Sequence, residues 1–301
     1  MTGSSRKIIL YFVIVLILLA IFSGSLFMIL RGKDFGISGN RVEVIYVQGL
    51  LLTGSLPGGF GIATSEEITK SLNDASEDEG VKAIVMRINS PGGSPAASEE
   101  IISAMKKINK PIVVSMGEVA ASGAYYISAP ADRIIANPDT LTGSIGVIWE
   151  FQNRSAFYHK EGTEFYIAKS GEMKDMGGDW RELSDKEKKY ADQIISESYL
   201  RFVEEVARGR NLSVSKVKDL ADGRIYTGAK AKELGLVDDF GSLDDAIEIA
   251  GKLGGIQGKP EVTYANRPSL SRLIFGGEKI TISELVSYYY ENSYGKLLSI
   301  Y

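Results

Sequence analysis

One serine is a candidate nucleophile, in the stretch MGEVAASGAYYISA at residues 116–129. Ser122 follows an apolar run typical of a strand and is flanked by alanine and glycine. The chain has no cysteine, which excludes a thiol nucleophile, disulfides and cysteine-based metal sites. Its single histidine, His159, lies in SAFYHKEG, where the pattern predicts a solvent-facing helix end. A serine–histidine–aspartate triad is therefore a poor hypothesis for this chain.

A lysine is the remaining candidate for the base. Burial disfavours the charged ammonium group, so a desolvated lysine can be neutral and accept the serine proton. Such Ser-Lys pairs are a variant of the triad arrangement. Lys169 and Lys174 lie in and after a predicted strand at 163–169. Their spacing alone does not choose between them.

Two glycine-containing turns are candidates for an oxyanion hole. Ser122 is predicted at a helix N-terminus, where the backbone N–H of Gly123 is available as one donor. A second donor can come from SPGGS, where Gly92 and Gly93 carry no side chain to block a substrate. Each feature alone is more often structural, because a Gly-Gly pair usually makes a turn and a serine among alanines usually packs a helix.

The elements around these residues alternate in type. Apolar runs predict strands at 41–47, 81–88 and 112–116. The capping pattern at Thr64 and Glu67 predicts a helix toward Ser76. Ser94 and Pro95 predict the start of a helix that continues to about Ile108. This order predicts an α/β domain with largely parallel strands.

The second half of the chain continues the pattern without an internal repeat. It contains a glycine- and charge-rich loop at 170–180 and a long amphipathic helix at 184–208, whose apolar stripe is expected in the core or in a subunit interface. Further strands are predicted at 133–136, 146–150 and 163–169, and further helices at 214–221, 229–234, 243–253 and 282–301. One catalytic-sized domain is the simplest organisation.

The N-terminus is predicted to span a membrane. A tail at 1–7 precedes 23 uncharged residues at 8–30, which exceed the length needed to cross a hydrocarbon core of roughly 30 Å. A polar linker follows at 31–40. Basic residues flank the span on both sides, so the charge rule favours an extracytoplasmic domain only slightly. The net charge of −4 and the pI near 5.4 argue against a nucleic-acid binder.

Four segments together resemble a known family. These are RINSPGGS, GEVAASGAYYISAPADRIIANPDTLTGSIGV, KSGEMKDMG and ADGRIYTGAKAKELGLVDDFGSLDDAI. In this order and spacing they are similar to the signal peptide peptidase A group of the S49 serine peptidases, in its single-domain, membrane-anchored form. The resemblance implies a ClpP/crotonase-like spiral of β-β-α units, with the peptidase domain at 41–254. It leaves the role of 255–301 open.

The resemblance also implies roles for individual residues. The family's nucleophile falls on Ser122 and its lysine base on Lys174. Ser144, in TGSIGV, matches the residue that orients the lysine amine. The oxyanion donors match Gly93 and Gly123, with Gly92 as the near alternative, and no cofactor or metal is implied. Two departures, Ala124 in place of a glycine and Glu118 in place of an apolar residue, are expected to affect the shape or charge of the cleft.

The implied activity is hydrolysis of peptide bonds through an acyl-enzyme. The expected substrates are released signal peptides or other apolar peptides, cleaved near the cell membrane on its extracytoplasmic side. The family assembles as homo-oligomeric rings in which neighbouring subunits help to complete the active sites. No nucleic-acid partner is implied.

Three alternatives remain at this point. A crotonase-like acyl-binding protein would use the same oxyanion scaffold without a serine–lysine pair. A non-catalytic membrane scaffold would tolerate loss of Ser122. A stomatin-linked Ser-Lys protease would carry further membrane spans and an added domain, which the sequence does not suggest.

Overall fold

The computed structural model describes residues 15–19, 21–24, 39–54 and 61–266. The chain divides after Gly39 into two units. In the first unit, residues 15–19 and 21–24 are helical. No helix formed by the described residues is both long and apolar enough to cross a membrane. The predicted tail at 1–7, most of the predicted span at 8–30 and most of the linker lie outside the described residues.

The second unit alternates strands with helices, as the sequence predicts. Its described strands are β1 (Arg41–Gln48), β2 (Leu50–Leu52), β3 (Ile62–Thr64), β4 (Val81–Ser90), β5 (Ile112–Ala121), β6 (Arg133–Ala136), β7 (Leu141–Gly143), β8 (Ile225–Thr227), β9 (Asp239–Phe240) and β10 (Glu261–Tyr264). Its described helices are α1 (Ser65–Glu77), α2 (Pro95–Met105), α3 (Gly123–Ser128), α4 (Ser155–Lys160), α5 (Asp185–Gly209), α6 (Val214–Leu220), α7 (Gly228–Glu233) and α8 (Leu243–Leu253).

The main sheet is mostly parallel. Its strand order is β10-β1-β4-β5-β6-β9, and every neighbouring pair in this series is parallel. The far end of β5 also pairs in parallel with β7, which pairs in antiparallel fashion with β8. A second, small sheet is formed by β2 and β3. The predicted α/β class with a largely parallel sheet is therefore confirmed.

Apolar side chains cover both faces of the sheet. In β1, Val42 and Val44 pack in one buried cluster with residues of α8, whereas Ile45 and Val47 pack in another with residues of α1, α2 and α5. Successive side chains of a strand point to opposite faces, so a parallel strand that is covered on both sides must be apolar almost throughout. This explains the continuous apolar runs in the sequence.

Helix starts follow the capping residues read from the sequence. Thr64 Oγ1 accepts from the Glu67 backbone N–H at 3.4 Å, and Ser94 Oγ accepts from that of Ala97 at 3.3 Å, next to Pro95 in the first helical turn. The predicted helix at 243–253 is found with the same bounds. Helix α2 ends three residues before the predicted Ile108.

Two predicted strands are wrong. Residues 146–150 and 163–169 are irregular, and most of their side chains are exposed. Their β-branched and aromatic residues suit a strand, but no neighbouring strand pairs with them in the described part of the chain. By contrast, β5 continues to Ala121 because its last residues pair with β7. That partner comes from the tertiary fold, so the local pattern ended the strand too early.

The C-terminal segment at 255–301 is partly described. Residues Glu261–Tyr264 form β10, which pairs with β1 at one end of the strand order and was not predicted. The predicted helix at 282–301 lies outside the described residues.

Candidate active site

Ser122 lies in the sharp turn between β5 and α3. Its φ of 54° and ψ of −126° are in a region that strongly favours glycine. The turn is held on both sides, because the Ser122 N–H donates to the Gly143 carbonyl at 2.9 Å and the Ser122 carbonyl accepts from the Tyr126 N–H at 2.9 Å. A strained serine that the surrounding structure fixes in place is typical of a catalytic nucleophile.

The SPGG turn between β4 and α2 is anchored to β2. The Leu51 N–H donates to the Gly92 carbonyl at 2.8 Å, and the Ser94 N–H donates to the Leu51 carbonyl at 2.8 Å. Gly93 has a φ of 149°, and a Cβ at this position would lie 2.2 Å from the Leu51 oxygen. Only glycine fits there.

The two turns are in direct contact. A Cβ on Gly92 would lie 2.6 Å from the Gly123 nitrogen, and a Cβ on Gly123 would lie 3.3 Å from the Gly93 nitrogen. The N–H of Gly92 already donates to Ser90 Oγ at 3.1 Å, whereas Gly93 and Gly123 both line the cavity at Ser122. The geometry therefore favours Gly93 over Gly92 as the second donor.

A cavity of about 470 Å³ opens at Ser122. One wall comes from α5, which contributes Ile195, Tyr199 and Phe202. The Phe202 ring packs on Tyr126 with centroids 4.5 Å apart. The sequence predicted the α5 stripe as core or interface and missed its role as a cavity wall, because the amphipathic period is the same in all three cases.

Ser144 lines the same cavity. It follows β7 with a φ of 50°, and its N–H donates to the Arg224 carbonyl at 2.9 Å. The preceding Gly143 has a φ of 78°, and a Cβ there would lie 2.6 Å from the Tyr226 ring. The pairing of β7 with β5 and β8 thus brings Ser144 to the cavity that contains Ser122, Gly93 and Gly123.

Lys174 is not brought to this cavity within one chain. It lies in a 3-10 turn, Glu172–Asp175, is exposed, and is not among the residues that line the cavity. Lys169 donates to Asp175 Oδ1 at 2.6 Å and to the Glu172 carbonyl at 2.9 Å. Lys169 is not among the residues that line the cavity either.

Other residues that the sequence singled out lie away from the cavity lining. His159 is exposed in the last turn of α4. Ala124 is fully buried in α3, and Glu118 is exposed on β5. None of the three lines the cavity. Within residues 39–54 and 61–266, no group of histidine, aspartate and glutamate side chains could hold a metal ion.

A buried charge cluster fixes the turn that contains Lys174. Arg181 donates to both carboxylate oxygens of Asp175, at 2.8 and 3.1 Å, and to both of Glu187, at 2.6 and 2.8 Å. These bonds lower the pKa of Asp175 and of Glu187 to about 2 each. Nothing in the local sequence pattern predicted this cluster, because its members are six residues apart and share no periodic face.

Comparison with known proteins shows two families to which this chain is similar. The profile of peptidase family S49 matches residues 104–257, and that of Clp protease matches residues 55–140. A candidate protease of Synechocystis sp. is 40% identical over 225 residues, which cover 73% of this chain and 81% of that protein.

Two further relatives are longer. A candidate signal peptide peptidase A of Enterococcus faecium is 42% identical over 198 residues, which are 65% of this chain and 58% of that protein. Protease 4 of Haemophilus influenzae is 37% identical over 217 residues, which are 71% of this chain and 35% of that protein. This chain thus matches less than two thirds of these two relatives. The S49 profile covers half of the chain, and it includes Ser122, Ser144 and Lys174. The chain therefore belongs to peptidase family S49.

Proposed function

We propose that this protein is a serine endopeptidase in which Ser122 is the nucleophile and Lys174 is the general base. The observation that carries the proposal is the geometry at Ser122. A strained serine faces a cavity, and the glycines of two touching turns line that cavity beside it. In the proposed mechanism Gly93 and Gly123 donate to the oxyanion, and Ser144 orients the lysine amine.

The reaction is acyl transfer to the serine followed by hydrolysis. Neutral Lys174 takes the proton from Ser122 Oγ, which attacks the peptide carbonyl carbon. The negative charge that develops on the carbonyl oxygen is stabilised by the two backbone N–H groups. The lysine then protonates the leaving amine and activates the water that releases the acyl group.

The proposed base reaches a serine through assembly. Lys174 is exposed in one chain, and the region between β7 and α5 also exposes large apolar side chains, with Ile148 90% and Tyr166 92% accessible. Packing this region against a neighbouring copy would bury apolar surface and desolvate a lysine. We therefore place the complete site in a homo-oligomeric ring in which neighbouring subunits help to form each site.

The proposed substrates are apolar peptides, such as released signal peptides. The cavity wall from α5 and the ring of Tyr126 offer apolar and aromatic surface to a substrate side chain. The apolar stretch at 8–30 supports a membrane anchor, with the peptidase domain on the extracytoplasmic side. The parallel sheet and the Clp protease match support a ClpP/crotonase-like spiral for the domain.

The test is cleavage of a fluorogenic apolar peptide by the assembled full chain in mild detergent. We expect Ser122→Ala and Lys174→Ala each to lower kcat by about 1,000-fold or more, and the double variant to lose no more than either alone, because the two groups act as a unit. Full activity in Lys174→Ala would overturn the base assignment and direct attention to Lys169 or His159. An assembled wild-type protein that cleaves no peptide would favour an acyl-binding or scaffold role.

A further inference from the structure

One guanidinium group joins two buried carboxylates next to the proposed base. Asp175 is 7% exposed and Glu187 is 2% exposed, and Arg181 makes two hydrogen bonds to each of them. Arg181 also donates to the backbone carbonyls of Asp175 at 3.3 Å and of Glu182 at 3.0 Å. A planar guanidinium can satisfy two carboxylates in this way, whereas an ammonium group cannot.

The cluster connects the turn of Lys174 to the start of α5. Glu187 is the third residue of α5 and completes its capping box, since it accepts from the Ser184 N–H at 2.8 Å and from Ser184 Oγ at 2.9 Å. Its position is therefore fixed by the helix. Asp175 directly follows Lys174 in the chain, so Arg181 holds the backbone on one side of the proposed base.

The same helix forms a wall of the cavity at Ser122. Ile195, Tyr199 and Phe202 of α5 line that cavity, and Phe202 and Val206 are buried in the core. A continuous series of contacts thus runs from the cavity wall through α5 and Glu187 to Arg181, and from there to the turn of Lys174.

The turn of Lys174 has a second connection to α5, the ion pair of Glu172 with Lys186, but both of these side chains are exposed and such a pair stabilises a structure only weakly. The segment is one 3-10 turn without a side-chain cap, in which the Lys174 N–H donates to the Gly171 carbonyl at 3.1 Å, and both Glu172 and Lys174 are exposed. Besides Arg181, the cation that holds Asp175 is Lys169, which is bonded to Asp175 Oδ1 at 2.6 Å. Asp175 is the buried member of the turn, so its partners determine where the turn lies.

We propose that Arg181 is a positioning residue for Lys174: by joining Asp175 to Glu187, it fixes the turn of the proposed base to α5 of its own subunit, which in the ring presents Lys174 to the serine cavity of the neighbouring subunit. The inference rests on the proposed function. Arg181 does not touch the reacting atoms. It acts through the backbone of Asp175, and a base misplaced by about 1 Å can cost on the order of 100-fold in rate.

The main test is Arg181→Lys in the assembled full chain, assayed on the fluorogenic apolar peptide. Lysine keeps a positive charge between the carboxylates but cannot donate two hydrogen bonds to each of them, as the guanidinium group does. We expect kcat per assembled site to fall by about 10- to 100-fold while KM stays close to wild type. The unfolding temperature should also fall, because lysine leaves the two buried carboxylates incompletely paired, so the assay is run well below the unfolding transition of the variant. Glu187→Gln is a second variant, since glutamine at this position preserves the capping box while it weakens the pairing with Arg181. Glu187→Gln should also lower kcat.

Lys188→Gln is the matched control. It removes an exposed ion pair of 2.8 Å with Glu182 in the same part of the chain, without contact to Asp175, and kcat should stay within about twofold. If Arg181→Lys has the wild-type kcat while Lys174→Ala is inactive, the positioning role of Arg181 is overturned but the proposed base is not. The positioning role would also be overturned if Arg181→Lys lowered the stability and the amount of active protein but left kcat per assembled site at the wild-type value. Full activity in Lys174→Ala would instead overturn the proposed base, and this inference with it.

Discussion

At Ser122 the backbone and the proposed chemistry favour different residue types. A φ of 54° with a ψ of −126° favours glycine, but a nucleophile needs a hydroxyl group. The surrounding bonds to Gly143 and Tyr126 hold the serine in this conformation. A strained backbone of this kind costs on the order of 1–3 kcal/mol, and it persists only where the structure around it is firmly fixed.

Ser122→Gly should therefore be more stable than Ser122→Ala. Alanine keeps the strain and glycine relieves it, so we expect a difference of about 1 kcal/mol in the free energy of unfolding after the greater chain entropy of unfolded glycine is subtracted. Chemical denaturation of both variants measures this difference, and both should lack peptidase activity. If Ser122→Ala proved the more stable, the turn would not be strained.

Gly93→Ala should inactivate the enzyme by moving an oxyanion donor. The new Cβ would meet the Leu51 carbonyl oxygen at 2.2 Å, so the turn must shift. Loss of one such donor lowers kcat by about 100- to 1,000-fold. Gly258→Ala is the control, because Gly258 also has a positive φ, of 83°, but no atom lies within 4 Å of its Cβ position. Steady-state kinetics should show an unchanged kcat for the control, and comparable losses in both variants would contradict the oxyanion role.

Helix α5 does three things along its 25 residues. Its first turn holds Glu187 in the charge cluster, its middle lines the serine cavity, and Phe202, Val203 and Val206 pack in the core. The sequence predicted the helix and its apolar stripe, because a 3.6-residue period is a local signal. It could not divide the stripe between core and cavity, since that depends on what packs opposite.

The same limit explains the errors elsewhere. Phe165, Tyr166 and Ile167 have strand-forming side chains, yet strand formation needs a partner, and none pairs with them in the described part of the chain. The short strands β8, β9 and β10 were missed because their pairing comes from distant strands. The sequence and the family resemblance indicated Ser122, Gly93 and Ser144, which one cavity brings together. The position of Lys174 relative to that cavity followed from neither.

The charge cluster at the start of α5 should make the free energy of unfolding depend on pH in the acidic range. Arg181 lowers the pKa of Asp175 from 3.8 and of Glu187 from 4.5, each to about 2. Both carboxylates therefore stabilise the fold above about pH 4.5, and this contribution is lost as the pH falls toward 2. We expect a loss on the order of a few kcal/mol, measured as the free energy of unfolding against pH.

Asp175→Asn should flatten this acid dependence and lower the stability at neutral pH. Glu182→Gln is the control, because Glu182 is paired with Lys188 but its side chain is 71% exposed, so its loss should leave the profile unchanged. If the free energy of unfolding of Asp175→Asn falls at low pH as steeply as that of the wild type, other carboxylates dominate the pH dependence.

The exposed region between β7 and α5 combines two properties that are unfavourable in an isolated chain. It exposes apolar side chains, notably Ile148 and Tyr166, and it contains the lysine that the mechanism needs in a neutral form. Contact with a second copy would reduce both costs, since it removes apolar surface from water and desolvates the amine. A head-to-tail arrangement of such contacts closes into a ring when the rotation between copies allows it.

Mixed assemblies should reveal whether each site is shared between neighbours. Co-expressed Ser122→Ala and Lys174→Ala chains are each inactive alone, but in a ring a site can still combine an intact serine from one chain with an intact lysine from the next. With equal amounts and random order, each partner is intact in half of the positions, so we expect about one quarter of wild-type activity. Mixing Ser122→Ala with the double variant should give none, which controls for contaminating protease. If the first mixture is also inactive although the chains co-assemble, serine and lysine belong to the same chain, and Lys174 must then reach the cavity by a movement of its own turn.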